Sequence, residues 1–297
     1  MKSKFSGYYT YSKSELKEIL SNSIITLDYS LLLDINKLSH GRLILETLNQ
    51  FSERLWLPYD TAWMYHQKLQ ETIEKQIVRV DTAKKYLTSF KTATEDPMNH
   101  PYIAEVLTNR YSLLMKLTID ALDKERNYLN KSLFNSDIRQ KILNLFDGKI
   151  GTEYNPSELQ RVCDEGKDRA SNSRPPCVNL ISSKYAREQY HYYIIWKQIQ
   201  KRLIEENNKA VVFITNKLSE NWFLTYSNSV CVTNPFLRTE FENVTKKIFF
   251  CMSAYSFIRK FMPPNSNSQE YEKLFLQLHK TPQNRKGDSI DIGDNQL

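Results

Sequence analysis

The sequence predicts an α/β protein with a mostly parallel central sheet flanked by helices and a long helical-hairpin insertion. Three observations carry that reading. Apolar, β-rich runs at "IITL" (24–27) and "AVVFIT" (210–215) are each followed by a polar residue and then by helical patterning. Between them, residues 66 to 145 keep helical spacing with one proline-rich break. Seven glycines in 297 residues are few for a turn-rich all-β fold, and strands alternating with helices point to a parallel sheet.

Taken in order, "YSKSELKEIL" sets Ser12 and Glu15 at capping-box spacing, so a short helix precedes the first strand. Asp28 then interrupts an apolar run that resumes at Leu31, Leu32 and Leu33. A charge is rarely buried without a partner or a metal. Asp28 is therefore either a metal ligand or a strand-end residue that caps the next turn or bonds Asn216 or Tyr192. "GRLILETLNQF" has helical spacing, "RLWLP" reads as a second short strand stopped at Pro58, and Asp60 or Thr61 caps the helix that follows. Along it, Leu69, Ile73, Ile77, Val80, Leu87 and Phe90 form an apolar seam. Pro97 and Pro101 force a turn, and Ile103, Leu107, Leu114, Leu117 and Ala121 resume the seam on an antiparallel partner.

A loop and a helix lead to the polar stretch ending at Pro175 and Pro176, and the next helix runs through "YAREQYHYYIIWKQIQKRLIEENN". The strand "AVVFIT" ends at Asn216, and a helix is expected around "LRTEFENVTKKIFFCMSAYSFIRKFM". The domain thus spans residues 1–262, with the helical insertion at about 66–145. Residues 263–297 read as a polar tail whose last part is disordered.

Composition limits the function classes. No window contains G-x-G-x-x-G or G-x-x-x-x-G-K-[ST], so nucleotide hydrolysis has no motif behind it. The N-terminus lacks a signal-peptide core and no apolar stretch is long enough to span a bilayer, which predicts a cytoplasmic protein without a membrane partner. Cys163, Cys177, Cys231 and Cys251 show no zinc spacing and are expected to be free thiols. A net charge of +7 is compatible with a polyanionic partner but does not specify one.

Several segments together resemble one family. "FSGYY…SELKEIL", "LDYSLLLDI", "LWLPYDTAWMYHQKL", "LFDGKIGTEYNPSEL", "GKDRASNSRPPC", "YYIIWKQI", "VVFITNKLSENWF" and "FLRTEFENVTKKIFFCMSAYSFI" occur in the order and spacing of bacterial PIN-like domains of the large type with a helical insertion. The resemblance implies a metal-dependent ribonuclease fold. In such a site three or four carboxylates at the C-terminal sheet edge hold Mg²⁺ or Mn²⁺, which activates water and offsets phosphodiester charge.

Carried over by position, the resemblance implies that Asp28 is the one retained carboxylate. Met64, Tyr192, Asn216 and Asn221 stand where the family has acidic residues, and Ser30 where it has asparagine. Methionine and tyrosine are poor partners for a hard divalent ion, and asparagine offers only a neutral carbonyl oxygen. The resemblance therefore implies a degenerate nuclease fold with no cofactor, acting as a nucleic-acid-binding or regulatory scaffold component. Bacterial antiviral defence and toxin–antitoxin systems are the settings the family suggests.

For RNA or single-stranded DNA, the candidate contacts are Arg169, Arg174, Lys184, Arg187, Lys197 and Lys201, with Lys167 and Arg202 nearby. Tyr185, Tyr190, Tyr192 and Tyr193 are interleaved as stacking candidates. One alternative is an active ribonuclease in which Asp34, Asp60 and Glu188 rebuild a Mg²⁺ or Mn²⁺ site around Asp28, with His66 or His191 as base. The other is a protein-interaction module that docks a partner through the helical insertion.

Overall fold

A computed structural model describes residues 1, 4–96, 98, 103–178, 180–206, 208–226 and 230–280. The turn expected at Pro97 and Pro101 lies outside them. The chain forms two compact units, one of residues 1–66 with 141 onward, the other of residues 67–140.

In the first unit, α1 (Lys13–Asn22) starts at the Ser12–Glu15 capping box, with both reciprocal bonds formed. It leads into β1 (Ile24–Leu27), α2 (Tyr29–Lys37) and α3 (Arg42–Asn49). The segment 55–57 is not a strand of its own. It makes isolated parallel bridges, Ile25 to Leu55 and Leu57 to Ile150, because Pro58 ends it and starts the next helix at once.

That helix, α4 (Tyr59–Glu95), runs on into the second unit, where α5 (Glu105–Ser132) and the start of α6 (Asp137–Phe146) belong. Lys84 reaches Asp123 at 2.6 Å and Arg126 reaches Asp81 at 2.7 Å, which sets the rotation of α5 against α4. Among the described residues, the buried ones of α5 are Met115, Leu129 and, at its end, Ser132. The expected seam through Leu107, Leu114 and Leu117 is therefore corrected. These three turn outward with Val106 and Leu113, since one helix contact cannot cover every apolar position of α5.

The chain then returns through α7 (Pro156–Ser171), capped by Asn155 and Glu158, the short α8 (Ala186–Gln189) and α9 (His191–Glu205). The single long helix expected here is broken at Tyr190. β2 (Ala210–Thr215) follows, then a hairpin of β3 (Phe223–Tyr226) and β4 (Val230–Thr233) that the sequence pattern does not announce. Next come α10 (Pro235–Thr245), β5 (Ile248–Ser253), α11 (Ala254–Phe261) and α12 (Ser268–Lys280).

Two more expectations change. The helix expected across 237–262 is a helix, a strand and a helix. Lys246 turns left-handed at φ 60°, ending α10, and "IFFCMS" pairs with β2. A six-residue apolar run is compatible with either state until its pairing is known. Part of the expected polar tail is α12, whose Tyr271, Leu274 and Leu278 are buried at i, i+3 and i+7. Residues 281–297 lie outside the described part.

The sheet is parallel in the order β1–β2–β5. All six residues of β2 are buried, as expected of a central strand covered on both faces. One core centre is aromatic: Phe213 lies 4.5 Å from Trp222, Trp196 4.9 Å from Phe249 and 5.2 Å from Phe241, measured between ring centroids. Trp196 Nε1 donates to Glu240 at 3.0 Å, so the buried indole keeps its hydrogen bond. No helix among the described residues is long and apolar enough to cross a membrane. Phe213→Ala should cost about 3–5 kcal/mol, read as a lower midpoint in urea unfolding; an unchanged midpoint would contradict a core built on this cluster.

Candidate functional site

The parallel sheet ends its strands together, so residues just past β1 and β2 meet at one edge, where ligands bind in open α/β sheets. Asp28 stands there, fully buried, its N–H continuing the ladder to the Ile214 carbonyl at 2.9 Å. Its side chain does not cap α2. Instead Oδ2 accepts hydrogen bonds from Ser30 Oγ at 2.5 Å and Thr215 Oγ1 at 2.8 Å. Oδ1 is buried with no hydrogen-bond partner among the described residues.

The same edge gathers further groups. Asn216 Nδ2 donates to Asp34 Oδ2 at 2.9 Å, and Lys37 pairs with Asp34 Oδ1. Lys217 sends its ammonium back over the site. Nζ is 2.9 Å from Tyr29 Oη and 4.8 and 5.2 Å from the Tyr29 and Tyr192 ring centroids. Burial works against its charge, yet Asp28, Tyr29 and Asp34 outweigh that and hold it above the usual lysine range. Tyr192 is driven well above the usual phenol range by burial and by the Asp28 charge, so it stays protonated.

Of the positions carried over from the resemblance, Asp28, Ser30, Tyr192 and Asn216 join this cluster, Asn216 through Asp34. Asn221 serves elsewhere. Its Oδ1 accepts the Val178 N–H at 2.7 Å and ties down the loop after Pro176. Met64 is a buried apolar residue of α4. His191 donates Nδ1–H to the Glu188 carbonyl at 2.7 Å and packs edge-on to Tyr29, which makes it a packing residue of the α9 start. Sequence reasoning misses Tyr29 and Lys217. The available signal is a lysine directly after the strand-end asparagine, a cation adjoining a position that the family gives to an acid.

The donor set does not fit a hard divalent ion. Asp34 has both oxygens engaged and Asp28 has one, while Ser30, Tyr192 and Asn216 add only a hydroxyl, a protonated phenol and an amide. Among the described residues no group of three or more His, Cys, Asp or Glu side chains is arranged to hold a metal.

Contrary to the expected cap of α4, Asp60 lies within the helix and is fully buried. Arg187 grips its Oδ1 through Nε at 2.8 Å and Nη2 at 2.7 Å, reaches Glu153 at 2.9 Å, and covers the Trp63 ring at 4.4 Å. Glu188 accepts from Ser183 Oγ at 3.0 Å. Asp60 and Glu188 thus have fixed partners of their own. Burial pushes the thiols of Cys163 and Cys177 up to about 11 and about 12, so neither is a ready nucleophile.

The basic candidates divide. Arg169 makes a bidentate pair with Glu240, at 3.0 and 2.7 Å, and bonds the Pro175 carbonyl. Arg187 belongs to Asp60 and Glu153, and Lys197 meets Glu165 at 3.2 Å. Arg174, Lys184 and Lys201 remain exposed, Lys184 over Tyr185 and Lys201 over Tyr154. Tyr190, Tyr192 and Tyr193 are buried in the core and are not free to stack on bases. Tyr185 is exposed.

A family model described as "PIN like domain" matches residues 24–237, from the first residue of β1 into α10. The chain belongs to the PIN-like domain family. No curated protein and no solved structure matches it.

The Asp60 carboxyl sits at about 6 instead of 3.8, because burial outweighs the opposing pull of Arg187 and Glu153 adds to the rise. The folded protein therefore holds this proton at pH values where the unfolded chain has lost it, and the contribution to stability falls as pH rises through that window. Relative to Asp60→Asn, wild type should lose about 2–3 kcal/mol between roughly pH 4 and 7, measured by urea unfolding. A difference that does not change with pH would contradict this.

Proposed function

We propose that this chain is a PIN-like protein that has kept the nuclease scaffold without its hydrolytic chemistry, and that it works by binding, as a regulatory or scaffold component. The observation that carries the reading is the cluster at the sheet edge. Two carboxylates, Asp28 and Asp34, share it with a lysine ammonium, an asparagine and a protonated tyrosine. Activating water for phosphodiester attack needs several anionic oxygens on one cation, and this set instead engages three of its four carboxylate oxygens in internal bonds. Bacterial antiviral defence or a toxin–antitoxin-like system is the setting that family membership suggests.

A protein partner is the first choice for what it binds. The outward side of α5 presents Val106, Leu107, Leu113, Leu114 and Leu117, each about half exposed or more, within three or so helical turns. An apolar stripe of that extent is more than a scatter of single surface residues. Nucleic acid is the second reading, favoured by Arg174 and by the lysine–tyrosine pairs Lys184–Tyr185 and Lys201–Tyr154. The internal pairing of Arg169, Arg187 and Lys197 counts against it.

The test is incubation of end-labelled single-stranded RNA with wild type and Asp28→Asn in Mg²⁺ or Mn²⁺. Both proteins should leave the RNA intact. Cleavage that needs the metal and Asp28 would overturn the reading and restore the active ribonuclease.

A further inference from the structure

The cluster at the sheet edge contains its own cation. Lys217 follows β2 directly after Asn216, and its backbone N–H donates to Thr215 Oγ1 at 3.0 Å. That hydroxyl in turn donates to Asp28 Oδ2, so the start of the lysine stem is tied to the carboxylate by two consecutive hydrogen bonds. At the far end of the stem, one ammonium receives a phenol oxygen, two aromatic faces and the fields of Asp28 and Asp34. Counted formally, Asp28 and Asp34 face Lys37 and Lys217, which balances the cluster without any added ion. A divalent cation entering here would meet an ammonium already in the field of the acids, and would have to displace it or leave two positive charges uncompensated.

We propose that the Lys217 ammonium is a built-in counter-ion that takes the place of a divalent cation at this sheet edge, balancing the Asp28 carboxylate and holding the ends of β1 and β2 together. The proposal rests on the reading of a site without hydrolytic chemistry and deepens it, since it names what fills the position. Lys217→Met keeps an unbranched apolar stem and removes the charge together with the hydrogen bond to Tyr29. The prediction concerns coupling: removing the ammonium is costly because it strands Asp28, and should be much less costly once residue 28 carries no charge.

The experiment is a thermal-unfolding cycle of wild type, Lys217→Met, Asp28→Asn and the double variant, each with and without millimolar MnCl₂. Lys217→Met should lower Tm by roughly 3–6 °C in the wild-type background and by less than half as much beside Asp28→Asn. Wild type should keep the same Tm with and without Mn²⁺. An additive cycle overturns the proposal, and so does an Asp28-dependent rise in the wild-type Tm on adding Mn²⁺. If Lys217→Met does not fold, Lys217→Arg decides: a Tm near wild type supports a cation requirement, and failure to fold as well contradicts it. RNA cleavage in the assay above would sink the proposed function whatever the cycle shows, whereas intact RNA with an additive cycle sinks only the counter-ion.

Discussion

A fully buried carboxylate must have its charge met inside the protein, and Asp28 imposes that constraint on everything around it. Ser30 and Thr215 answer with hydroxyl hydrogen bonds, and Lys217 answers with charge. The elements that bring these groups in are those the sheet requires: α2 leaves the end of β1, and the loop bearing Lys217 leaves the end of β2. In a PIN-like nuclease the same geometry gathers acids around a metal. Here Ser30 and Thr215 bond the Asp28 carboxylate, and Asn216 and Lys37 bond Asp34.

Beneath that edge, the scaffold is held by contacts with no stake in the chemistry. The aromatic cluster of Phe213, Trp196, Trp222, Phe241 and Phe249 packs on the sheet, and Glu240 joins it to Arg169 by accepting from both Trp196 and the guanidinium. This explains why a basic residue near the site need not serve a ligand. Arg169, Arg187 and Lys197 are paired with Glu240, Asp60, Glu153 and Glu165, so these three cations are committed inside the protein and are poor contacts for a polyanion.

Much of the architecture is legible in the sequence. The short strand before Asp28, the β-rich run at 210–215 and the two long helices all have strong patterns, and the order of the segments points to the family. What escapes is whatever depends on pairing across the chain. "IFFCMS" cannot be told from helix without knowing that β2 lies beside it. The apolar residues of α5 cannot be assigned to a face without the two ion pairs to α4. At the site, the gathering of Asp28, Ser30, Tyr192 and Asn216 at one sheet edge can be read by position. The Lys217 ammonium cannot, because its hydrogen-bond partner Tyr29 lies nearly two hundred residues away.

The most direct measurement is anomalous diffraction from a crystal soaked in Mn²⁺. Density is expected for the Lys217 ammonium against Tyr29, with no manganese peak at the Asp28 carboxylate. A manganese peak bound by Asp28, with Lys217 swung away, would contradict this.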